Sequence, residues 1–158
     1  MEKERVVVTQ WRELAPLLND CMAQGVDVTI PVTGTSMLPL LREGRDRVVL
    51  TRADAAALKK GDIPLYRRRN GQFVLHRVAA AAPGEYTMLG DAQTRLETGI
   101  CPEQILAVVK GIYREGTYHD CTGRGCRFYG KVWLALRAVR PVFLRLYQGV
   151  VRIGRKQV

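Results

Sequence analysis

Turn signals that recur at short intervals constrain the fold of this 158-residue chain more than any other feature. Asn70-Gly71 is a strong hairpin signal, because both residues readily take the positive φ angles of a tight two-residue turn. Further turn signals separate short strand-like runs at residues 26–32, 47–51, 63–67, 73–79, 86–89 and 105–113. Residues 96–103 are expected to form a loop. This succession predicts a small, mainly β domain built of hairpins.

The two ends of the chain show helical spacing instead. Apolar residues recur at intervals of three and four within residues 9–24, which predicts a helix that stops near Gly25. Residues 131–154 carry one apolar stripe, which predicts an amphipathic helix that Pro141 either kinks or divides into two helices. We therefore expect an N-terminal helical segment (residues 1–25), a β domain (26–118) and a basic loop with the amphipathic helix (119–158).

Positive charge is concentrated at the C-terminal end of the chain. The net charge is +10, yet the first 120 residues are nearly neutral, with 16 basic and 15 acidic residues. Residues 121–158 hold nine Lys or Arg and no Asp or Glu. A basic amphipathic helix favours binding to an anionic membrane surface through residues 128–158, with nucleic acid as the less favoured partner. Packing of the stripe on the β domain or on a partner helix are the alternatives.

The sequence also bears on the compartment and on metals. No apolar run is long enough to span a bilayer, and no secretory signal is apparent, so a cytoplasmic protein, free or on the inner membrane face, is expected. Its four cysteines are then expected to be reduced thiols. The spacing of His119, Cys121 and Cys126 matches no familiar zinc pattern, and neither a metal nor a cofactor is expected.

One serine lies where acyl-transfer chemistry needs a nucleophile. Ser36 follows a strand-like run on a turn that contains Gly34 and ends at Pro39, so its hydroxyl and its N–H should both be exposed. Few residues can accept the proton of this hydroxyl, because the chain has only two histidines. His76 lies in a strand-like run and is the candidate base. We expect Ser36 and His76 to meet in space.

Four short motifs follow one another along the chain: Gly34-Thr-Ser-Met-Leu-Pro39, Lys60-Gly-Asp-Ile-Pro-Leu-Tyr-Arg67, Val74-Leu-His-Arg-Val78 and Met88-Leu-Gly-Asp91. In this order and at this spacing they resemble the type I signal peptidase superfamily over residues 28–113. Histidine at position 76 resembles the Ser/His branch of that superfamily rather than its lysine branch. Signal peptidases have an N-terminal membrane helix, and this sequence shows none.

The resemblance implies a serine endopeptidase that cleaves a leader- or signal-like peptide segment through an acyl-enzyme. It implies Ser36 as nucleophile, His76 as general base and Asp91 as the carboxylate that supports the base, with Glu97 as a second acidic residue. Gly34 replaces a hydroxyl that helps to bind the oxyanion in bacterial leader peptidases, which leaves the Ser36 N–H and Thr35 or Thr33. The alternative is a catalytically inactive binding module of the same fold that uses the basic tail to bind membrane or nucleic acid.

Overall fold

A computed structural model describes the backbone of residues 11–154 and the side chains of residues 14–147. Within this part of the chain, nine strands form two antiparallel sheets, and three α-helices accompany them. The helices are α1 (Trp11–Ala23), α2 (Arg124–Ala135) and α3 (Arg140–Gly154). The strands are β1 (Val28–Pro31), β2 (Asp46–Thr51), β3 (Pro64–Arg67), β4 (Phe73–Leu75), β5 (Arg77–Ala82), β6 (Glu85–Leu89), β7 (Glu97–Ile100), β8 (Ile105–Arg114) and β9 (Thr117–Asp120). The mainly β fold expected from the sequence is confirmed.

The larger sheet has its two edge strands on either side of one groove. Its strand order is β1-β2-β8-β3-β4, and β9 also pairs with β8. β1 and β4 lie at opposite edges, yet residues of both line the same groove, because the sheet is curled. Strands β3 and β4 form a hairpin at Asn70-Gly71, as predicted, but residues 68–72 connect them instead of a two-residue turn, and of the pair only Gly71 has a positive φ, of +86°. The curl therefore brings distant segments of the chain to one site.

The smaller sheet contains β5, β6 and β7, and His76 lies at the passage between the two sheets. The sequence predicts one strand over residues 73–79, but the structure divides this run into β4 and β5, which belong to different sheets. After His76 the chain no longer pairs with β3 and instead pairs with the turn that precedes β3. There, Val78 N–H donates to the Asp62 carbonyl, and Gly61 N–H donates to the Val78 carbonyl. The break holds the His76 backbone where two sheets meet.

The buried side chains form two clusters, one within the larger sheet and one drawn from both sheets. Helix α1 packs Leu14, Leu18 and Met22 into the cluster of the larger sheet, which also contains Leu50 and Leu65. Complete burial of one such leucine contributes roughly 1.5 to 3 kcal/mol. The N-terminal helix thus shares its core with the β domain. The second cluster joins Tyr66 of β3 to residues of the smaller sheet that include Val78 and Met88.

Two segments that the sequence does not predict as strands are strands in the structure. Residues 97–100 form β7, which pairs with β6 through Tyr86 and Ile100. The sequence of β7 shows no alternation of apolar residues, and only Ile100 is buried. The strand is therefore ordered by its backbone pairing with β6. Residues 117–120, all exposed, similarly form β9 by pairing with the end of β8. Both strands depend on a neighbouring strand and not on a pattern of their own.

The C-terminal segment forms two helices joined by one turn. α2 begins at Arg124, before the stretch with the apolar stripe, and a short 3-10 turn at Leu136–Ala138 separates it from α3. Pro141 is the second residue of α3, where the lack of an N–H costs nothing. Of the two alternatives that the sequence leaves open, division into two helices is confirmed.

Candidate functional site

A groove of about 620 Å³ lies between the curled edges of the larger sheet. On one side it is lined by β1 and the turn that follows, including Ile30, Val32 and Ser36. On the other side it is lined by β4 and the residue after it, including Leu75 and His76. Ser36 and His76, forty positions apart, therefore face the same space. Thr35 and Gly34 line the groove beside them.

The turn with Ser36 is fixed from below by the segment that follows β6. The N–H of Ala92 donates a 2.8 Å hydrogen bond to the carbonyl of Ser36. Gly90 lies so close that a Cβ at this position would be 2.7 Å from the same carbonyl oxygen. Gly34 has a φ of +77°, which an L side chain rarely adopts. The sequence needs glycine at both positions to hold the half-buried serine here.

The free groups of Ser36 point to nucleophilic chemistry. Within the described residues, the Ser36 N–H makes no hydrogen bond, so it is available to an oxyanion in the groove. No hydrogen bond joins the Ser36 hydroxyl to His76 in this part of the chain either. Catalytic hydrogen bonds in unliganded sites are often long and tighten when substrate binds. Direct pairing of Ser36 with His76 stays a prediction.

His76 is neutral at physiological pH. Only 2 % of the residue is exposed, and burial, opposed in part by Glu97 and reinforced by Arg68, lowers its pKa to about 4. A neutral imidazole has one nitrogen that accepts a proton and one that donates. The state needed for a general base is thus already present in the folded protein.

Tyr66 and Glu97 orient the imidazole of His76. The Tyr66 hydroxyl lies 3.2 Å from His76 Nδ1 and donates a 2.8 Å hydrogen bond to Glu97 Oε2. Because the proton of this hydroxyl is used in the hydrogen bond to Glu97, the hydroxyl oxygen accepts from His76, which places the imidazole proton on Nδ1. Nε2 then remains the acceptor. Arg68 completes the arrangement with two 2.7 Å hydrogen bonds to the Glu97 carboxylate.

The protonation states of Glu97 and Tyr66 depend on their contacts with each other and with Arg68. Burial disfavours ionisation of Glu97, but hydrogen bonds from Arg68 and Tyr66 outweigh it and hold the pKa of Glu97 below its usual range. Burial and the neighbouring carboxylate raise the pKa of Tyr66, so its hydroxyl stays protonated. Glu97 Oε2 lies 3.9 Å from His76 Nδ1, close enough to stabilise a positive charge on the ring. The arrangement can orient a base and then support its protonated form.

The structure does not bring the Asp91 carboxylate to His76. Asp91 is fully buried, and its two oxygens accept hydrogen bonds of 2.8 and 2.6 Å from Arg77. Arg77 also donates to the Gly61 carbonyl at 2.9 Å, which ties the turn before β3 to the segment after β6. Among the described residues, no hydrogen bond or ion pair joins Asp91 to His76. Its contacts make Asp91 a residue that holds the segment beneath Ser36, whereas the carboxylate of Glu97 reaches the imidazole through Tyr66.

Tyr66 and Arg68 are functional candidates that the sequence analysis does not identify. Tyr66 is fully buried within β3, and a buried tyrosine hydroxyl needs a hydrogen-bond partner. This requirement could have drawn attention to Tyr66 from the sequence, but it does not identify the hydrogen-bond partner. The partner, Glu97, lies 31 positions further on, in a strand that is itself not predicted.

The described residues contain no helix with the length and hydrophobicity to cross a bilayer. In the same part of the chain, no three His, Cys, Asp or Glu side chains are grouped so that they could hold a metal ion. A scan of known protein families gives no family model that matches the chain, and a search of curated proteins likewise gives no match.

Proposed function

We propose that this protein is a serine endopeptidase that cleaves a leader- or signal-like peptide segment, with Ser36 as nucleophile and His76 as general base. The observation that supports the proposal most is that both residues line one groove while Tyr66 and Glu97 order the imidazole. Four motifs that resemble the type I signal peptidase superfamily, in the same order, favour the same chemistry. Neither argument needs a metal or a cofactor.

In the proposed reaction, His76 Nε2 takes the proton of Ser36 as the serine oxygen bonds to the carbonyl carbon of the peptide. The oxyanion accepts hydrogen bonds from the Ser36 N–H and from Thr35. The carbon–nitrogen bond then breaks, and His76 gives its proton to the leaving amine. Water, deprotonated by His76, hydrolyses the acyl-enzyme and releases the serine. Glu97, through Tyr66, stabilises the imidazolium at both stages.

The groove suits an extended peptide. It is bordered by β1 and β4, and the outer edge of β1 carries backbone groups that no strand within the described residues uses. A peptide laid between them gains main-chain hydrogen bonds, as in other complexes in which a strand is added to a sheet. Ile30, Val32 and Leu75 give the groove an apolar lining for side chains on either side of the bond to be cut. We therefore propose a flexible substrate segment with small or apolar residues.

The proposal places the enzyme in the cytoplasm, free or at the inner membrane face. Four cysteine thiols, each only partly exposed and none in a disulfide, fit a reducing compartment. Signal peptides are cut on the far side of the membrane, so the substrate of this enzyme would be a different leader-like segment. Its identity follows from cleavage data rather than from the groove.

The test is incubation of the purified protein with a diverse library of unstructured peptides, with products identified by mass spectrometry. We expect cleavage within a restricted set of sequences, and a loss of roughly 10³-fold or more in Ser36→Ala. Thr117→Ala is the matched control, because it removes an exposed hydroxyl from β9, outside the groove, and should cleave at the parental rate. Cleavage that survives in Ser36→Ala refutes the assignment. Binding of peptides in the groove without cleavage would instead support the alternative, a catalytically inactive binding module.

A further inference from the structure

Helices α2 and α3 attach to the β domain through one face that is not their apolar stripe. Trp133 donates a 2.9 Å hydrogen bond from its indole N–H to the Asp91 carbonyl. Arg140 is fully buried and donates to the carbonyls of Gly90, Gln93 and Trp133. Its guanidinium also lies 5.3 Å from the centre of the Trp133 ring. The attachment is therefore largely polar and leaves the stripe unused.

Over the described side chains, the apolar stripe faces away from the domain. Seven apolar side chains along α2, the 3-10 turn and α3 are exposed by 37 to 70 %: Phe128, Val132, Leu136, Val139, Val142, Phe143 and Leu146. We call these seven residues the outer face. They follow the three-and-four spacing of one helix side and continue across the turn between the helices. A continuous exposed apolar strip of this kind marks an interaction surface rather than an ordinary solvated helix.

The segment that carries the outer face is basic and contains no acidic residue. Five exposed basic residues belong to the same segment: Arg124, Arg127, Lys131, Arg137 and Arg145. No acidic residue occurs between Cys121 and the end of the chain. Apolar side chains that enter the acyl boundary, with Lys and Arg beside them at the headgroups, are the physical design of a helix that lies in a membrane interface. We propose that the outer face binds the surface of an anionic lipid bilayer.

The same observations disfavour two other occupants. A second copy of the chain would bring two basic segments together, and neither segment has an acidic residue to offset their repulsion. Nucleic acid would engage the cations, but it would leave the seven apolar side chains against a charged phosphate backbone. Anionic lipid satisfies both the charge and the apolar surface. The proposal does not depend on peptidase activity, since it uses none of the groove residues.

The test is co-sedimentation of the full chain with vesicles of phosphatidylcholine alone and of phosphatidylcholine mixed with phosphatidylglycerol. We expect binding to the anionic vesicles, little binding to the neutral ones, and weaker binding as salt screens the cations. Phe143→Asp and Leu146→Asp should each weaken binding by roughly tenfold or more, because each removes inserted apolar surface and adds a repelled charge. Both side chains are more than half exposed, so folding should be kept, as circular dichroism will verify.

Leu17→Asp is the matched control, since Leu17 is 48 % exposed on α1 and lies outside the outer face. It should bind the anionic vesicles as the parental chain does. Parental protein that stays in the supernatant with anionic vesicles overturns the proposal. So does unchanged binding of both aspartate variants, or a stable dimer in light scattering that these variants dissociate. Binding to a DNA duplex that the aspartate variants keep, without vesicle binding, would assign the segment to nucleic acid instead.

Discussion

Removal of a single oxygen atom at Tyr66 tests how the imidazole of His76 is oriented. Tyr66→Phe keeps the fully buried ring but breaks two hydrogen bonds, one of 3.2 Å to His76 Nδ1 and one of 2.8 Å to Glu97. A hydrogen bond to a charged group contributes about 1.5 to 3 kcal/mol to stability. Glu97 keeps Arg68, and its side chain is 27 % exposed, so water replaces part of the loss. We therefore expect the free energy of unfolding to fall by about 2 kcal/mol, which lies in the lower half of that range.

Tyr66→Phe should also slow the reaction of Ser36. Loss of the correct imidazole tautomer in a catalytic triad costs about 10⁴-fold, which sets the upper limit. In Tyr66→Phe, Glu97 lies 3.9 Å from Nδ1 and can take over part of the orienting role. We therefore expect the rate to fall by roughly 10- to 100-fold. The measurement is the second-order rate of labelling by a serine-directed fluorophosphonate, which requires no knowledge of the substrate.

A second tyrosine gives a matched control. Tyr86 is 4 % exposed and donates a 2.8 Å hydrogen bond to the Ala55 carbonyl, in the core of the smaller sheet and outside the groove. Tyr86→Phe should lose about 1 kcal/mol of stability and label at the parental rate. If Tyr66→Phe labels as fast as the parental chain, the hydroxyl does not orient the base. An equal slowing in both variants would trace the effect to general loss of stability.

Three further perturbations test the site and its support. Because burial lowers the pKa of His76 to about 4, labelling should hold its rate as the pH falls from 8 to 5 and halve only near pH 4. The unfolded chain binds this proton near pH 6.5 and the folded protein only near 4, so the free energy of unfolding should fall by about 3 kcal/mol as the pH drops across that interval. Gly90→Ala places a methyl group 2.7 Å from the Ser36 carbonyl, so labelling should slow by roughly tenfold or more as the turn shifts. Arg140→Met leaves three carbonyls without their buried donor and should cost about 3 kcal/mol of stability, read from thermal unfolding.

Each of these perturbations has a variant that should not share its effect. His76→Gln should lose the dependence of stability on pH between 6.5 and 4, and a retained slope would assign that dependence to other groups. Gly125→Ala adds a methyl group that meets no atom within 4 Å and should label normally. Arg137→Met removes an exposed arginine one turn before Arg140 and should change stability by less than about 0.5 kcal/mol. Equal losses in Arg137→Met and Arg140→Met would contradict the anchoring role.

Elements with a local pattern could be predicted from the sequence. Asn70-Gly71 closes a hairpin, and the spacing in residues 9–24 matches α1 over its described part, Trp11–Ala23; residues 9 and 10 lie outside the described residues. β7 and β9 could not be predicted, because their order comes from pairing with strands elsewhere in the chain. Local signals thus identify the strands that have a pattern of their own, but neither the partners of those strands nor the strands that depend on pairing alone.

The residues of the site were predictable only in part. Turn chemistry and the scarcity of histidine pointed to Ser36 and His76, and both line one groove. The roles of the acidic residues depend on side-chain direction across two sheets, which spacing does not encode. Asp91 follows β6 and turns toward Arg77, whereas Glu97 reaches Tyr66 from β7.

The direction of the C-terminal stripe could not be predicted either. Its spacing gives one apolar side, but spacing does not say whether that side faces the domain or the solvent. The structure turns the stripe outward and buries Arg140, because the segment below it offers backbone carbonyls rather than apolar surface. Arg140 therefore attaches α3 to the domain, although the helical pattern alone would suggest attachment through the apolar residues of the stripe.

The central claim is that Ser36 is made nucleophilic by His76. Ser36 is the only serine in the sequence, so a fluorophosphonate adduct on serine can be assigned by peptide mass spectrometry without ambiguity. We expect one adduct, on Ser36, that forms at neutral pH and forms roughly 10²- to 10⁴-fold more slowly in His76→Ala. A folded protein that gains no adduct on Ser36, or gains it at the same rate without His76, would contradict the claim.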